Sequence, residues 1–294
     1  MFAHSLHGLC VSDGYSAAMP LKVAGIARHA ALMVGLVAVL VFVMVRPYLP
    51  GAYDAMALPL SLMVQVFGLA GLLLLPVGVP WLIQEVRGKA GRGFALAGMI
   101  MGSLVVLAGA LAATESVGVS LGVVVLAGWG IVLALWRTRL NGVRVPLYLV
   151  VLPVVLVVAQ VVLAVPMAEF SRSRVIAGNG QLIDEIEEHK ARFGSYPASL
   201  LALHQDYKLP VIGVGEYHYA LTGSAYNLYF EQPRFLIDNF GTREIVMYNR
   251  LDEQIMASHD SWILLWSPEQ LKANQGWYEV HDSAVPHWKY FWFD

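Results

Sequence analysis

Residues 145–201 constrain the fold more than any other stretch. There VPLYLVVLPVVLVVAQVVLAVPMAEF runs without a break into SRSRVIAGNGQLIDEIEEHKARFGSYPASLL. The first part is apolar for longer than the roughly 20 residues that a hydrocarbon core demands of a helix. The second has the pattern of an amphipathic helix. Leu182, Ile183, Ile186 and Phe193 form one stripe, and Asp184, Glu185, Glu187 and Glu188 face away from it. Apolar runs dominate before this join, and polar–apolar alternation dominates after it. The chain therefore divides into a membrane half and a water-soluble half, with the boundary near residue 169.

Five runs are apolar enough to span, at about 24–45, 57–83, 93–113, 117–136 and 145–167. Residues 1–20 read as a disordered tail, residues 21–144 as a four-helix membrane region, 145–169 as a fifth span and 170–294 as one domain. Only 14% of the residues are charged, well below the usual quarter for a soluble chain. Arginine and lysine in the short loops set the orientation. Lys22 and Arg28 precede the first span, Arg87, Lys89 and Arg92 fill the second loop, and Arg137, Arg139 and Arg144 the fourth. The first and third loops offer only Arg46 with Asp54, and Glu115. The alternation places the N-terminus in the cytoplasm and the last domain outside a cytoplasmic (inner) membrane.

Small residues four apart let helices approach closely in lipid. The five-residue join Ala113–Val117 predicts a tight antiparallel hairpin of the third and fourth spans, and Gly98 and Gly102 on the third, with Gly118 and Gly122 opening the fourth, predict helix packing, with a dimer face as the lesser alternative. The mid-span polar residues are Gln65 and Gln160, with Ser61, Ser103 and Ser120 behind them, and the glutamines are expected to bond across to another helix. No Asp, Glu, Lys or Arg falls in the middle of a span, which disfavours a proton- or ion-coupled transporter.

At the end of the amphipathic helix, Gly194 suits a left-handed C-terminal residue, and Pro197 forbids continuation and opens a short second helix, Pro197–Leu203. Gly178-Asn179-Gly180 is the weak point of the rod. The apolar span leading into this helix, then Phe193-Gly194-Ser195-Tyr196-Pro197, then Leu200 and Leu203, resembles the soluble part of type IV pilins and type II secretion pseudopilins. The resemblance covers about residues 145–232. It implies a membrane protein with five transmembrane helices and an α+β pilin-like domain, a long helix packed on an antiparallel sheet. In that family the helix stands at a processed N-terminus; here four spans precede it, and no leader site lies near Val145.

Alternation supports the sheet. Glu216–Leu221 and Ala225–Glu231 read as a hairpin turned at Thr222-Gly223-Ser224. Further strands are expected at Arg243–Tyr248, Trp262–Trp266, Trp277–His281 and His287–Phe293, a short helix at Pro268–Asn274, and a crossing loop at Pro233–Gly241. The last strand is aromatic on both faces. Such a strand is buried, covered by a partner or dipped into the membrane interface, which makes Trp288, Tyr290, Phe291, Trp292 and Phe293 the candidate interaction surface.

The chemistry-bearing patterns are sparse. Cys10 is the one cysteine, which excludes an intramolecular disulfide. Residues 169–294 hold 17 acidic against 10 basic residues, which argues against nucleic acid as a partner. The acidic helix face (Asp184, Glu185, Glu188) reads as solvated, and Glu216 with His218, or His281 with Asp282, forms no ligand spacing. No catalytic residue, metal or cofactor is expected. The expected partners are the lipid bilayer and a protein, either another chain or a second copy. The expected function is a non-enzymatic scaffold or partner-recognition module in envelope assembly or export, with a ligand sensor acting through a partner as the alternative.

Overall fold

The computed structural model describes residues 18–87, 92–137, 144–203, 207–238, 243–254, 256–258, 264–266 and 278–293. Helix α1 is Ala18–Val45, so Ala18 to Pro20 belong to a helix and not to the expected tail. A 3-10 turn, Arg46–Tyr48, leads to a loop and then to α2 (Ala57–Gly71). A second 3-10 turn at Leu72–Leu74 leads into α3 (Leu75–Val86), just ahead of Pro76, whose missing N–H cannot continue the ladder. Helices α4 (Arg92–Val117) and α5 (Val119–Arg137) form the expected hairpin.

Among the described residues four helices are long and apolar enough to cross a membrane: His29–Tyr48, Ala57–Val86, Gly93–Leu111 and Val145–Phe193. The apolar stretch of α5, Val119–Ala134, is shorter.

The glycines of the hairpin divide into two roles. A Cβ on Gly98 would lie 3.3 Å from the Trp81 ring, one on Gly102 3.1 Å from Trp129, and one on Gly122 3.0 Å from the Ala110 carbonyl. These notches are filled inside the fold, so Gly98 and Gly102 are not open to a dimer. Gly118 is a correction: a Cβ added to it would meet nothing within 4 Å, so it packs against no helix, and its φ of +119° makes it the reversal between α4 and α5. An L side chain rarely adopts that backbone, which explains the glycine.

Helix α6 (Arg144–Gly178) carries Pro153 and Pro166, and after the single residue Asn179 the chain continues as α7 (Gly180–Phe193). The expected weak point thus interrupts the rod by one residue only. Gly194 ends α7 at φ +77°, its amide donating to the Lys190 carbonyl. Leu182 and Ile186 are buried as the stripe requires, but Phe193 at the frayed end is 65% exposed. The short helix after Pro197 is reduced to a 3-10 turn, Leu200–Ala202, because Ser199 is extended.

Among the described residues seven strands follow: β1 (His218–Thr222), β2 (Ala225–Gln232), β3 (Arg243–Tyr248), β4 (Met256–Ser258), β5 (Leu264–Trp266), β6 (Tyr278–Asp282) and β7 (Trp288–Phe293). Five form one antiparallel sheet in the order β1-β2-β3-β7-β6, and β4 pairs with β5. The Gly223-Ser224 turn closes the first hairpin, with Gly223 at φ +55°. The Pro268–Asn274 helix expectation lies outside the described residues.

Strand period sets the sheet face. Tyr226, Leu228 and Phe230 of β2, Val246 and Tyr248 of β3, and Trp288 of β7 share one buried cluster with Val175 and Ile176 of α6 and Leu182 and Ile186 of α7. The stem therefore lies across the sheet and forms the domain core with it. This is an α+β layer of helix on antiparallel sheet.

Candidate functional site

The chemistry of the described chain gathers where the domain meets the bundle. This joint has three parts, each traceable to residues that a free domain or a free bundle would not need.

The first part is a strap of main-chain hydrogen bonds between the α1–α2 loop and the segment before β1. The amides of Gly51 and Asp54 donate to the carbonyls of Pro210 and Ile212, and those of Ile212 and Gly213 donate back to Leu49 and Pro47, all at 2.8–3.1 Å. Asp54 folds the loop by accepting from the Met56 amide at 2.9 Å and pairing with Arg46 at 2.5 Å. The Met56 amide, ahead of the Arg46 charge, holds the Asp54 carboxyl below its ordinary range.

The second part is a plug. The β2–β3 connection does not stay on the surface of the domain; Phe235 is fully buried between α1, α2 and α6, packed with Met44, Tyr48, Val64, Leu156 and Ala164. Its ring stacks on Tyr48, centroids 4.8 Å apart and planes within 13°. Non-helical backbone at such a depth needs its polar groups satisfied by protein. The Leu236 amide donates to Gln65 Oε1 at 2.8 Å. Gln65 is held in turn: its Nε2 donates to Ser61 Oγ (3.0 Å), Ser61 donates to the Met44 carbonyl (2.5 Å), and Gln160 Nε2 donates to the Gln65 carbonyl (3.2 Å). Gln65, Gln160 and Ser61 are all 0% exposed. The expectation for mid-span glutamines holds for Gln160, which bonds across helices. Gln65 does more, because its amide oxygen reaches the domain.

The third part is a buried ionic cluster just above the plug. Glu244 of β3 is 0% exposed and accepts from Arg172 Nε of α6 at 2.7 Å and from the Trp292 indole at 3.0 Å. Arg234 reaches Glu244 at 3.7 Å and pairs with Asp238 at 2.6 Å. Arg172 also bonds the exposed Glu169. Each guanidinium lies over an aromatic ring of β7, Arg172 at 3.7 Å from Tyr290 and Arg234 at 3.9 Å from Trp292. A buried carboxylate flanked by two arginines is neutralised where it sits, the condition under which charge is tolerated in an interior. Beside it, Ser171 donates to Gln232 Oε1 and Gln232 donates to the Ala168 carbonyl, which fixes the height of the sheet on the stem.

The aromatic strand needs a correction. β7 lies between β3 and β6, so it is internal, and Trp288 (3% exposed) and Phe291 (1%) offer no surface. Tyr290 and Trp292 are half-buried beneath the two arginines. Phe293 pairs with Arg243 and Tyr278 through its backbone. The paired histidines do not converge: His218 stacks on Tyr229 at the β1 edge, and His281 on Tyr290 near the opposite edge. The acidic helix face is partly used as struts, Glu187 to Arg250 (2.5 Å), Glu185 to the Tyr207 hydroxyl and Glu188 to Arg192 (2.6 Å). Among the described residues no three His, Cys, Asp or Glu side chains are grouped to hold a metal.

A cleft of about 740 Å³ opens beside the strap, walled by Tyr53 of the α1–α2 loop, Leu201, Leu209 and Tyr207, and the Gly215–Tyr217 segment that enters β1. Leu201 is 94% exposed there.

Sequence reasoning missed the joint. Its signals were present: an apolar triplet, Phe235-Leu236-Ile237, sits inside a ten-residue hairpin connection, and Arg234 and Asp238 flank it. No protein-family model matches the chain, and neither a curated protein nor a solved structure matches it significantly.

Proposed function

We propose that this chain is a non-enzymatic membrane scaffold that holds a pilin-like domain outside the cytoplasmic membrane for a protein partner, in envelope assembly or export. The joint carries the proposal. Strap, plug and ionic cluster fix the domain on the bundle at three places, which suits a platform of set height and orientation. Five spans fit this reading, since α5 returns along α4 far enough for Trp129 to reach Gly102 in mid-helix. The strap supports the arginine-based orientation, since it joins the α1–α2 loop and the domain at one end of the bundle. The helix laid on an antiparallel sheet and the Gly194 turn are in keeping with the pilin likeness.

The test is photo-crosslinking in cells from exposed positions on the domain, Leu251 and Val285 (50% and 42% exposed), with topology reporters fused after Asp294. The expected result is a discrete adduct with another protein and activity only of the extracytoplasmic reporter. Adducts with lipid alone, or activity of the cytoplasmic reporter, would sink the scheme. A ligand sensor is the second reading, and the cleft between the α1–α2 loop and the domain favours it, since an occupant there would touch both.

A further inference from the structure

Strap and plug converge on one short turn. The 3-10 turn Arg46–Tyr48 is closed by the Leu49 amide, which donates to the Arg46 carbonyl at 3.1 Å, and Pro47 and Tyr48 are both buried. Pro47 is an end of the strap: its carbonyl accepts from the Gly213 amide at 2.8 Å. Tyr48, the next residue, is a wall of the plug, its ring stacked on Phe235. Arg46, ahead of both, pairs with Asp54, whose amide donates to the Ile212 carbonyl.

This arrangement has no slack. A Cβ on Gly213 would lie 2.6 Å from both the carbonyl oxygen and the Cβ of Pro47, closer than such atoms pack. The proline ring fixes φ and the Leu49 bond closes the turn, so a push at the Pro47 carbonyl carries the Tyr48 ring with it. A second route begins one helical turn earlier. Met44 shares the apolar cluster of Phe235, and its carbonyl accepts from Ser61, which accepts from Gln65, whose Oε1 accepts from the Leu236 amide. Residues 44–48 therefore meet the strap on one side and answer to Phe235 and Leu236 on the other. Packed side chains, hydrogen bonds and a rigid element in series are the physical means by which two sites share energy.

We propose that the Arg46–Tyr48 turn is the relay of a two-point latch. Strap and plug close together and open together, so a displacement of the segment before β1 is delivered to Phe235 among α1, α2 and α6. The domain then leaves the bundle at both points while β2 and β3 stay paired. The latch stands on the joint alone and depends on neither a protein partner nor a ligand.

Hydrogen-exchange mass spectrometry of the full chain in lipid nanodiscs reads the two ends separately, the strap from peptides spanning 211–215 and the plug from peptides spanning 232–238. Gly213→Ala forces residue 213 away from Pro47 and costs the strap a hydrogen bond. With the latch, the Leu236 amide exchanges about tenfold faster in this variant, the decade that one unmade hydrogen bond is worth. Coupling is reciprocal, so Phe235→Ala should speed exchange of the Gly213 amide. In the double variant the two effects should combine to clearly less than their product. Tyr48 supplies a substitution outside the domain, which decides the matter where Gly213→Ala does not fold. Its hydroxyl has no hydrogen-bond partner among the described residues, so Tyr48→Phe should leave both ends unchanged. Tyr48→Leu, which removes the stacked ring, should speed both. Residues 228–230 and 246–248 should keep their protection throughout. A Leu236 rate within about threefold of the original in Gly213→Ala, effects that multiply in the double variant, or acceleration of the plug alone in Tyr48→Leu would overturn the latch. Acceleration shared equally with β2 and β3 would overturn it as well, since that reports loss of the fold and not release of the domain.

Discussion

Replacing Phe235 by alanine separates a domain that is merely tethered from one that is docked. The ring is 0% exposed, touches three helices and stacks on Tyr48. Truncating a buried phenylalanine costs about 3–5 kcal/mol, the sum of lost transfer energy and the cavity left behind. The reporter is the Leu236 amide, one residue away, whose hydrogen bond to Gln65 breaks only when the plug leaves the bundle. At about 1.4 kcal/mol per decade, that loss speeds exchange of this amide by roughly two to three and a half decades. Hydrogen-exchange mass spectrometry of the full chain in nanodiscs reads it from peptides spanning 232–238, with the β2 and β3 amides as internal reference. Under the docking argument the plug peptide accelerates while the sheet keeps its protection. An acceleration below about threefold at Leu236, or an equal acceleration across β2 and β3, would refute it, since the first means that the ring holds nothing and the second that it serves only global stability.

Two further perturbations follow. Glu244→Gln takes the fully buried carboxylate from the cluster and leaves Arg172 with only the exposed Glu169 and Arg234 with only Asp238, and should lower domain stability by about 3–5 kcal/mol in denaturant titrations; a loss under about 1 kcal/mol would make the cluster equivalent to a surface pair. Burial pushes the phenols of Tyr217, Tyr219 and Tyr226 above the ordinary tyrosine range, so their neutral forms stabilise the fold fully below about pH 10 and that stability falls as pH rises further. In an alkaline titration these tyrosines should ionise together with loss of the β-sheet signal, and a tyrosinate absorbance complete near pH 10 with the sheet intact would contradict this.

The sequence was most informative where one local rule decides the structure. Strand β3 is found at Arg243–Tyr248 as alternation predicts, and the hairpin β1–β2 lies within two residues of its expected bounds. Gly194 ends α7 because a left-handed residue must follow Phe193. Periodicity is silent about what one half of the chain does to the other. Gln65 reads as a polar residue in need of a partner, yet that partner is 171 residues away and is a backbone amide, which no side-chain pattern announces. Glu244 reads as an ordinary surface residue of an alternating strand, and only the height of the sheet on α6 brings Arg172 over it. The aromatic terminal strand shows the same limit from the other side: its composition states that it must be covered, but strand order decides that β3 and β6 are the cover.

The three parts of the joint divide the labour of holding the domain. The strap consists of main-chain bonds, so what specificity it has comes from close approach, since a Cβ on Gly51 would meet Ile212 and one on Gly213 would meet Pro47. The plug supplies apolar burial, yet a phenylalanine on a loop could enter any sufficiently apolar groove. Gln65 and the ionic cluster remove that freedom. An unsatisfied amide at the depth of Leu236 would cost about 1–3 kcal/mol, so the loop is stable only where a fixed acceptor waits, and Ser61 and Gln160 hold that acceptor in place. Glu244 likewise is tolerable only where Arg172 and Arg234 meet it, which sets the rotation of the sheet about the stem. The apolar and main-chain contacts therefore account for most of the attachment, while the few buried polar groups select one docked geometry among those that burial alone would permit.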